Sequence, residues 1–137
     1  MAHEKFPVEV LTPEGEVFND EVEMVSTRTT VGSIGVLAHH QPVLAMLDPT
    51  ELRLYTSESE CVRFAQAEGY MQITGDRTMI LVEEAHPPNE LDVSDLRDRL
   101  QRAERELEEA GEDSEKRRVA LRDKNRLEQF IQIAESS

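Results

Sequence analysis

Between Phe6 and Glu84 the apolar residues come in short runs broken by turn-forming residues, a pattern that predicts strands. The runs are FPVEVLT (6–12), EVEMVSTRT (21–29), IGVLA (34–38), VLAML (43–47), ELRLYT (51–56), CVRFAQA (61–67), YMQIT (70–74) and RTMILVEE (77–84). Two connections read as hairpins: SESE between Thr56 and Cys61, and the Gly75–Asp76 pair, which suits a two-residue turn. Many short strands at this spacing predict a sandwich or flattened barrel.

Past HPPNE the period lengthens. Leu96, Leu100, Ala103, Leu107 and Ala110 advance by steps of 4, 3, 4 and 3, which holds them on one stripe of a helix that Gly111 ends. A second helix is predicted in EDSEKRRVALRDKNRLEQFIQIAESS, with Ala120, Leu127, Ile131 and Ala134 at heptad-like spacing. The short linker predicts an antiparallel hairpin. The expected fold class is α+β: an N-terminal all-β sandwich of about ten short strands in residues 1–88, then a C-terminal antiparallel helical hairpin in residues 89–137.

Charge narrows the partners. Fifteen Lys and Arg stand against 29 Asp and Glu in 137 residues, a net charge of -14, so phosphate-rich nucleic acid is not an expected ligand. The single Cys61 permits no intrachain disulfide, and the opening MAHEKFPVEV lacks the basic start and apolar stretch of a secretory signal, so a reducing, cytoplasmic compartment is expected. No apolar run approaches the roughly 20 residues of a membrane span, and membrane contact is expected only indirectly, through another protein.

Within the hairpin the charges separate into blocks. Residues 104–115 hold seven acidic groups and one basic one; residues 116–126 hold six basic groups and one acidic one, Asp123. Either these are solvated faces with weak ion pairs, or the basic block of Lys116, Arg117, Arg118, Arg122, Lys124 and Arg126 exchanges between the acidic first helix and another acidic surface. The thin, alanine-rich seam buries little area and favours such exchange.

The segment TTVGSIGVLAHHQPVLAML (29–47) concentrates glycines, two histidines and a proline in an apolar run. His39 and His40 are adjacent and seldom chelate one ion together, and His3 and His86 are remote in sequence, so no metal site is expected. Pairs such as Glu83 and Glu84 arise readily among 29 carboxylates. No nucleophile with a base accompanies them and no phosphate-cradling glycine loop is present, so neither a catalytic residue nor a cofactor is expected.

VGSIGVLAHHQPVLAMLDPTELRL resembles the G-x-[hydrophobic]-G-[hydrophobic]-L-x-x-H-x-P segment of the epsilon subunits of F-type ATP synthases. VEVLTPEGEVFNDEVEMVSTRTTVG, AEGYMQIT and MILVEEA resemble that family in the same order. The resemblance implies a non-catalytic subunit of the rotor, or central stalk, at the cytoplasmic face of a bacterial membrane. Its sandwich would bind the gamma subunit and the c-subunit ring through a loop containing Ser33, Ile34 and His40. Its helices would reach the alpha and beta subunits through the basic run, coupling proton flow to ATP synthesis and restraining ATP hydrolysis. Some bacterial members bind ATP on the folded hairpin through [I/L]-D-x-x-R-A. Here Leu91 and Asp92 match, with Arg102, Arg122 and Arg126 at the accessory arginine positions, but Asp95 stands where the motif has Arg and Leu96 where it has Ala. Unit charges about 4 Å apart interact by roughly 4 kcal/mol at an effective dielectric near 20, so Asp95 opposes a nucleotide, and Asp92 reads better as a helix N-cap. The second reading of the whole chain is a stand-alone β-sandwich and coiled-coil adaptor unrelated to ATP synthesis.

Overall fold

The computed structural model describes residues 3–136, and the chain divides between Pro87 and Pro88 into two compact units. The first holds ten strands: β1 (Phe6–Thr12), β2 (Gly15–Val22), β3 (Met24–Thr29), β4 (Gly32–Val36), β5 (Val43–Leu47), β6 (Thr50–Tyr55), β7 (Cys61–Gln66), β8 (Gly69–Thr74), β9 (Arg77–Val82) and β10 (Ala85–His86). They form one continuous sheet in the order β10-β7-β6-β3-β5-β8-β9-β1-β2, with β4 added on β3. Every pairing is antiparallel except β1 with β9.

Alternation explains how one sheet encloses a core. Val8 and Val10, Val25, Leu52 and Leu54, Met71 and Ile73, and Ile80 and Val82 occupy every second position of their strands and bury together with Phe6, Val22, Val36, Leu47 and Phe64. At about 25 cal/mol per Å² of apolar area, this cluster is the main source of the unit's stability. Strand β8 approaches β9 so closely that a Cβ on Gly69 would sit 2.0 Å from the Leu81 carbonyl oxygen.

The structure corrects several strand boundaries: β4 spans Gly32–Val36 rather than 34–38, and β9 ends at Val82 rather than 84. The run 21–29 is not one strand: Val22 closes β2 and Met24 opens β3, while the Glu23 N–H between them donates to the Tyr55 carbonyl at 2.7 Å. Most of β2 has exposed side chains and no apolar alternation, because it lies at the end of the sheet with little of its surface against the core. The two-residue β10 also escapes any periodicity; Ala85 and His86 are held by pairing with Gln66 and Ala65 of β7.

The second unit opens with a 3₁₀ turn, Pro88–Glu90, followed by α1 (Val93–Glu109) and α2 (Ser114–Glu135). Asp92 caps α1 by accepting from the Asp95 N–H at 3.2 Å, and Asp113 caps α2 by accepting from the Lys116 N–H at 3.1 Å. Helix α1 stops at Gly111, whose φ of 56° is left-handed. The helices run antiparallel, and Arg97 near the start of α1 reaches Glu135 at the end of α2 at 3.0 Å. From α1 the seam buries Leu96, Ala103 and Ala110. From α2 it buries Ala120, Leu127, Phe130 and Ile133. The expected stripe through Ile131 and Ala134 is displaced by one residue: both are half-buried, and Phe130, the larger side chain, takes the inner position.

Candidate docking surfaces

The loop residues singled out from sequence do not form one surface. In β4, Ser33 is exposed opposite Arg28, whereas Ile34, opposite Thr27, is half-buried and packs on the core. Successive strand residues point to opposite faces, so Ser33 and Ile34 cannot present side chains to one flat partner. His40 lies in the following turn, its N–H donating to the Leu37 carbonyl at 3.3 Å and its Nδ1 donating to the Gln41 carbonyl at 2.8 Å. The β3–β4 turn instead exposes Val31, whose relative exposure is 95%. That turn is fixed by the Thr29 hydroxyl, which donates to the Gly32 carbonyl at 2.9 Å and accepts from the Val31 N–H at 3.2 Å.

A broader surface was not anticipated from sequence. Met46 of β5 lies opposite Tyr70 of β8, Tyr70 opposite Leu81 of β9, and Leu81 beside Leu11 of β1. Opposed residues share a face, so these four side chains cross four strands in one outward row. Leu44 and Met79 lie two residues along their own strands on the same face, with the exposed Gln72 of β8 between them. Leu44 is 72% exposed, Met46 57%, Tyr70 52% and Leu81 42%. A contiguous apolar patch of this kind marks a protein contact, whereas isolated exposed apolar residues do not. The signal in the sequence was that VLAML, YMQIT and RTMILV carry apolar residues at both parities of the strand, so both faces cannot be solvated.

Elsewhere on the β unit, Arg53 and Arg63 are directly opposed on β6 and β7, and the two oxygens of Glu51 accept one from each. Burial alone would raise the Glu51 carboxyl, but hydrogen bonds from Arg63 and Arg53 outweigh it and hold its pKa below the ordinary value. The histidines serve as local ties: His39 with Glu4 at 2.7 Å and His86 with Glu84 at 3.0 Å. Among the described residues no three His, Cys, Asp or Glu side chains converge as a metal cluster, and no helix is long and apolar enough to cross a membrane.

On the hairpin, much of the basic block pairs within α2. Arg118 reaches Glu115 at 2.6 Å, Arg122 reaches Asp123 at 3.2 Å, and Lys124 lies 4.0 Å from Glu128. Arg117 donates to the Gly111 carbonyl at 3.4 Å. Of the residues considered for nucleotide contact, Arg122 is the one held by Asp123, and the other four separate into two places. Arg102 and Arg126 share a cleft of about 200 Å³ with Arg99, Glu106 and Asp123. Leu91 and Asp92 lie at the start of α1, with Asp92 about 15 Å before Arg102 at 1.5 Å per residue. Asp92 is engaged as the cap, and Asp95 lies 4.0 Å from Arg99. Arg99 was not foreseen; it lies one turn before Arg102 on the same side of α1.

Comparison with known proteins follows the same division of the chain. Residues 5–88 match the family described as the β-sandwich domain of the ATP synthase delta/epsilon chain. The chain is 39% identical over 104 residues to an ATP synthase epsilon chain of Persephonella marina, covering 76% of each. It is 34% identical over 130 residues to one of Rubrobacter xylanophilus, covering 91% of this chain and 88% of the relative. In fold it is similar to a chain in the Euglena gracilis mitochondrial ATP synthase OSCP/F1/c-ring structure, with a TM-score of 0.77 at 20% identity over 92% of this chain and 79% of that one. A chain in the Tetrahymena thermophila mitochondrial ATP synthase central stalk/c-ring structure gives a TM-score of 0.64 at 16% identity, covering 98% of this chain and 99% of that one.

Proposed function

Because the chain belongs to the ATP synthase delta/epsilon family, we propose that it is a non-catalytic rotor subunit that couples the c-subunit ring to the gamma subunit and restrains ATP hydrolysis through its helices. The observation that carries this reading is the outward apolar row of the exposed Met46, Tyr70 and Leu81, continued by the half-buried Leu11. A surface subunit must transmit torque without slipping, and a wide apolar face built on a continuous sheet supplies both area and stiffness. We assign this face to the gamma subunit. The β3–β4 turn with Val31 and Ser33, together with His40, is assigned to the c ring, while Ile34 supports the turn from within. The basic run Lys116–Arg126 is assigned to acidic surfaces of the alpha and beta subunits, where complementary charge sets register and association rate. The subunit then meets the membrane only through the complex, on the cytoplasmic face of a bacterial membrane.

Affinity capture of the full chain from detergent-solubilised membranes tests this directly. Recovery of gamma, c, alpha and beta subunits is expected, and a Met46→Glu, Tyr70→Glu double variant that melts like wild type should lose them. Recovery of a soluble partner alone supports the adaptor reading instead.

A further inference from the structure

Glu23, in the bend between β2 and β3, is the only charged residue among those described that the fold buries, with a relative exposure of 6%. The backbone fixes it there: Val22 lies opposite Phe6, Met24 opposite Tyr55, and the Glu23 N–H donates to the Tyr55 carbonyl at 2.7 Å. A glutamate withdrawn this far from water is ordinarily paired, because an isolated charge is costly to desolvate. The Glu23 carboxylate has no hydrogen-bond or ion-pair partner among the described residues. No enclosed side-chain oxygen of those residues lacks a partner, so both Glu23 oxygens must reach the surface. The sheet therefore encloses the stem and leaves the carboxylate at the mouth of a narrow opening.

The neighbouring cations do not fill it. Lys5 takes the next position of the β1–β2 register, opposite Glu23, but it is exposed and makes no ion pair with it. Arg53, two residues before Tyr55, and Arg63 both serve Glu51. The other charges on the flanking elements are carboxylates: Asp20 and Glu21 on β2, and Glu58 and Glu60 in the β6–β7 turn. A recessed carboxylate in negative surroundings fits a cation, and no three ligating side chains converge here to hold a metal. A guanidinium suits it best, since its planar fork can take both oxygens and it gives up water more readily than an ammonium.

We infer that Glu23 is a socket for an arginine side chain of a partner protein, which enters at the β2–β3 bend and pairs with both carboxylate oxygens. The inference rests on the rotor reading and adds to it a contact made by neither the apolar row nor the β3–β4 turn. The free chain then carries an unpaired, largely desolvated charge, and assembly supplies its partner.

Glu23→Gln keeps the shape and removes the charge, and two measurements on the full chain test the socket. In the free chain the urea midpoint of Glu23→Gln should equal or exceed that of wild type. Its affinity for ATP synthase stripped of this subunit should fall about tenfold or more, the cost of removing one member of a desolvated pair. Lys5→Ala should match wild type in both measurements. A lower midpoint for Glu23→Gln, or for Lys5→Ala, would show that the carboxylate is paired inside the chain, and the socket is then overturned. If folded Glu23→Gln binds as tightly as wild type, the socket is overturned and the rotor reading stands. If the wild-type chain does not bind the stripped complex at all, the rotor reading fails and takes the socket with it.

Discussion

Thr27 and Gln66, 39 residues apart in sequence, are joined inside the β unit: the Thr27 hydroxyl and the Gln66 Oε1 are 2.9 Å apart, and the Gln66 amide nitrogen donates to the Asp48 carbonyl at 2.9 Å. Gln66 is fully buried, so each of its polar atoms must find a partner in the protein. Thr27→Val keeps the shape and leaves the Gln66 oxygen without the hydroxyl, at an expected loss of about 1–3 kcal/mol in urea unfolding. Gln66→Leu in the same chain should recover part of that loss, giving a non-additive double-mutant cycle. Additive losses would mean that the two side chains do not act as a pair.

Glu51 gives the β unit an acid-sensitive link between β6 and β7. Its folded pKa is depressed, so the stability it contributes is present above the ordinary carboxylate value of about 4.3 and is lost as pH falls through the lower folded value. Glu51→Gln should therefore cost about 1–2 kcal/mol near neutral pH, where Arg53 and Arg63 would otherwise face each other unscreened. The difference from wild type should shrink below about pH 4. Denaturant midpoints measured for both proteins across that range provide the check, and parallel curves would remove Glu51 as the titrating group.

Much of the architecture was legible because it follows from period. Buried strands such as β6 and β9 and the stripe Leu96–Ala103 declare themselves by alternation or by 3–4 spacing. What stayed hidden depends on pairing, which no local pattern encodes. Strand β2 sits at an edge and has no apolar face to read, and the choice between Phe130 and Ile131 is settled by how α2 rotates against α1. The docking row was hidden for the same reason: Met46, Tyr70 and Leu81 lie 24 and 11 residues apart and become neighbours only through the β5–β8–β9 register. Ile34 belongs to a conspicuous motif, yet its side chain packs on the core, a placement set by the β3–β4 register and not by the motif.

The hairpin should not bind ATP usefully. Arg99, Arg102 and Arg126 share their cleft with Glu106 and Asp123, and Asp92 is occupied as a cap at the distant start of α1. A triphosphate brought there would face carboxylates as well as guanidinium groups, with Asp95 close to Arg99. Titration calorimetry of the full chain with ATP should show no saturable heat below about 1 mM, or roughly -4 kcal/mol. Saturable binding that is lost in Arg102→Ala and Arg126→Ala would show that the three arginines suffice.

The basic run of α2 should restrain hydrolysis only if it can exchange partners. Arg118 and Lys124 are held by exposed carboxylates of their own helix and Arg122 by the half-buried Asp123, surface pairs that are weak in water and screened by salt. A desolvated acidic surface on the alpha and beta subunits would compete well against such pairs, and a segment bound in either place is a two-state element biased by both. Deletion of residues 112–137 should raise ATP hydrolysis by the assembled complex several-fold while assembly persists, because the β unit keeps its own core and its docking row. Replacing Arg117, Arg118, Arg122 and Arg126 together by Gln should reproduce part of that release, and more of it at low ionic strength than at about 0.5 M salt, where the screening length falls to a few ångströms. The measurement is steady-state hydrolysis by wild-type, truncated and neutralised complexes at the two ionic strengths. Equal rates for wild type and truncation would exclude a restraining hairpin. Release by truncation alone would keep the restraint and transfer it from the charges to the seam residues Leu127, Phe130 and Ile133, which an unfolded hairpin would expose.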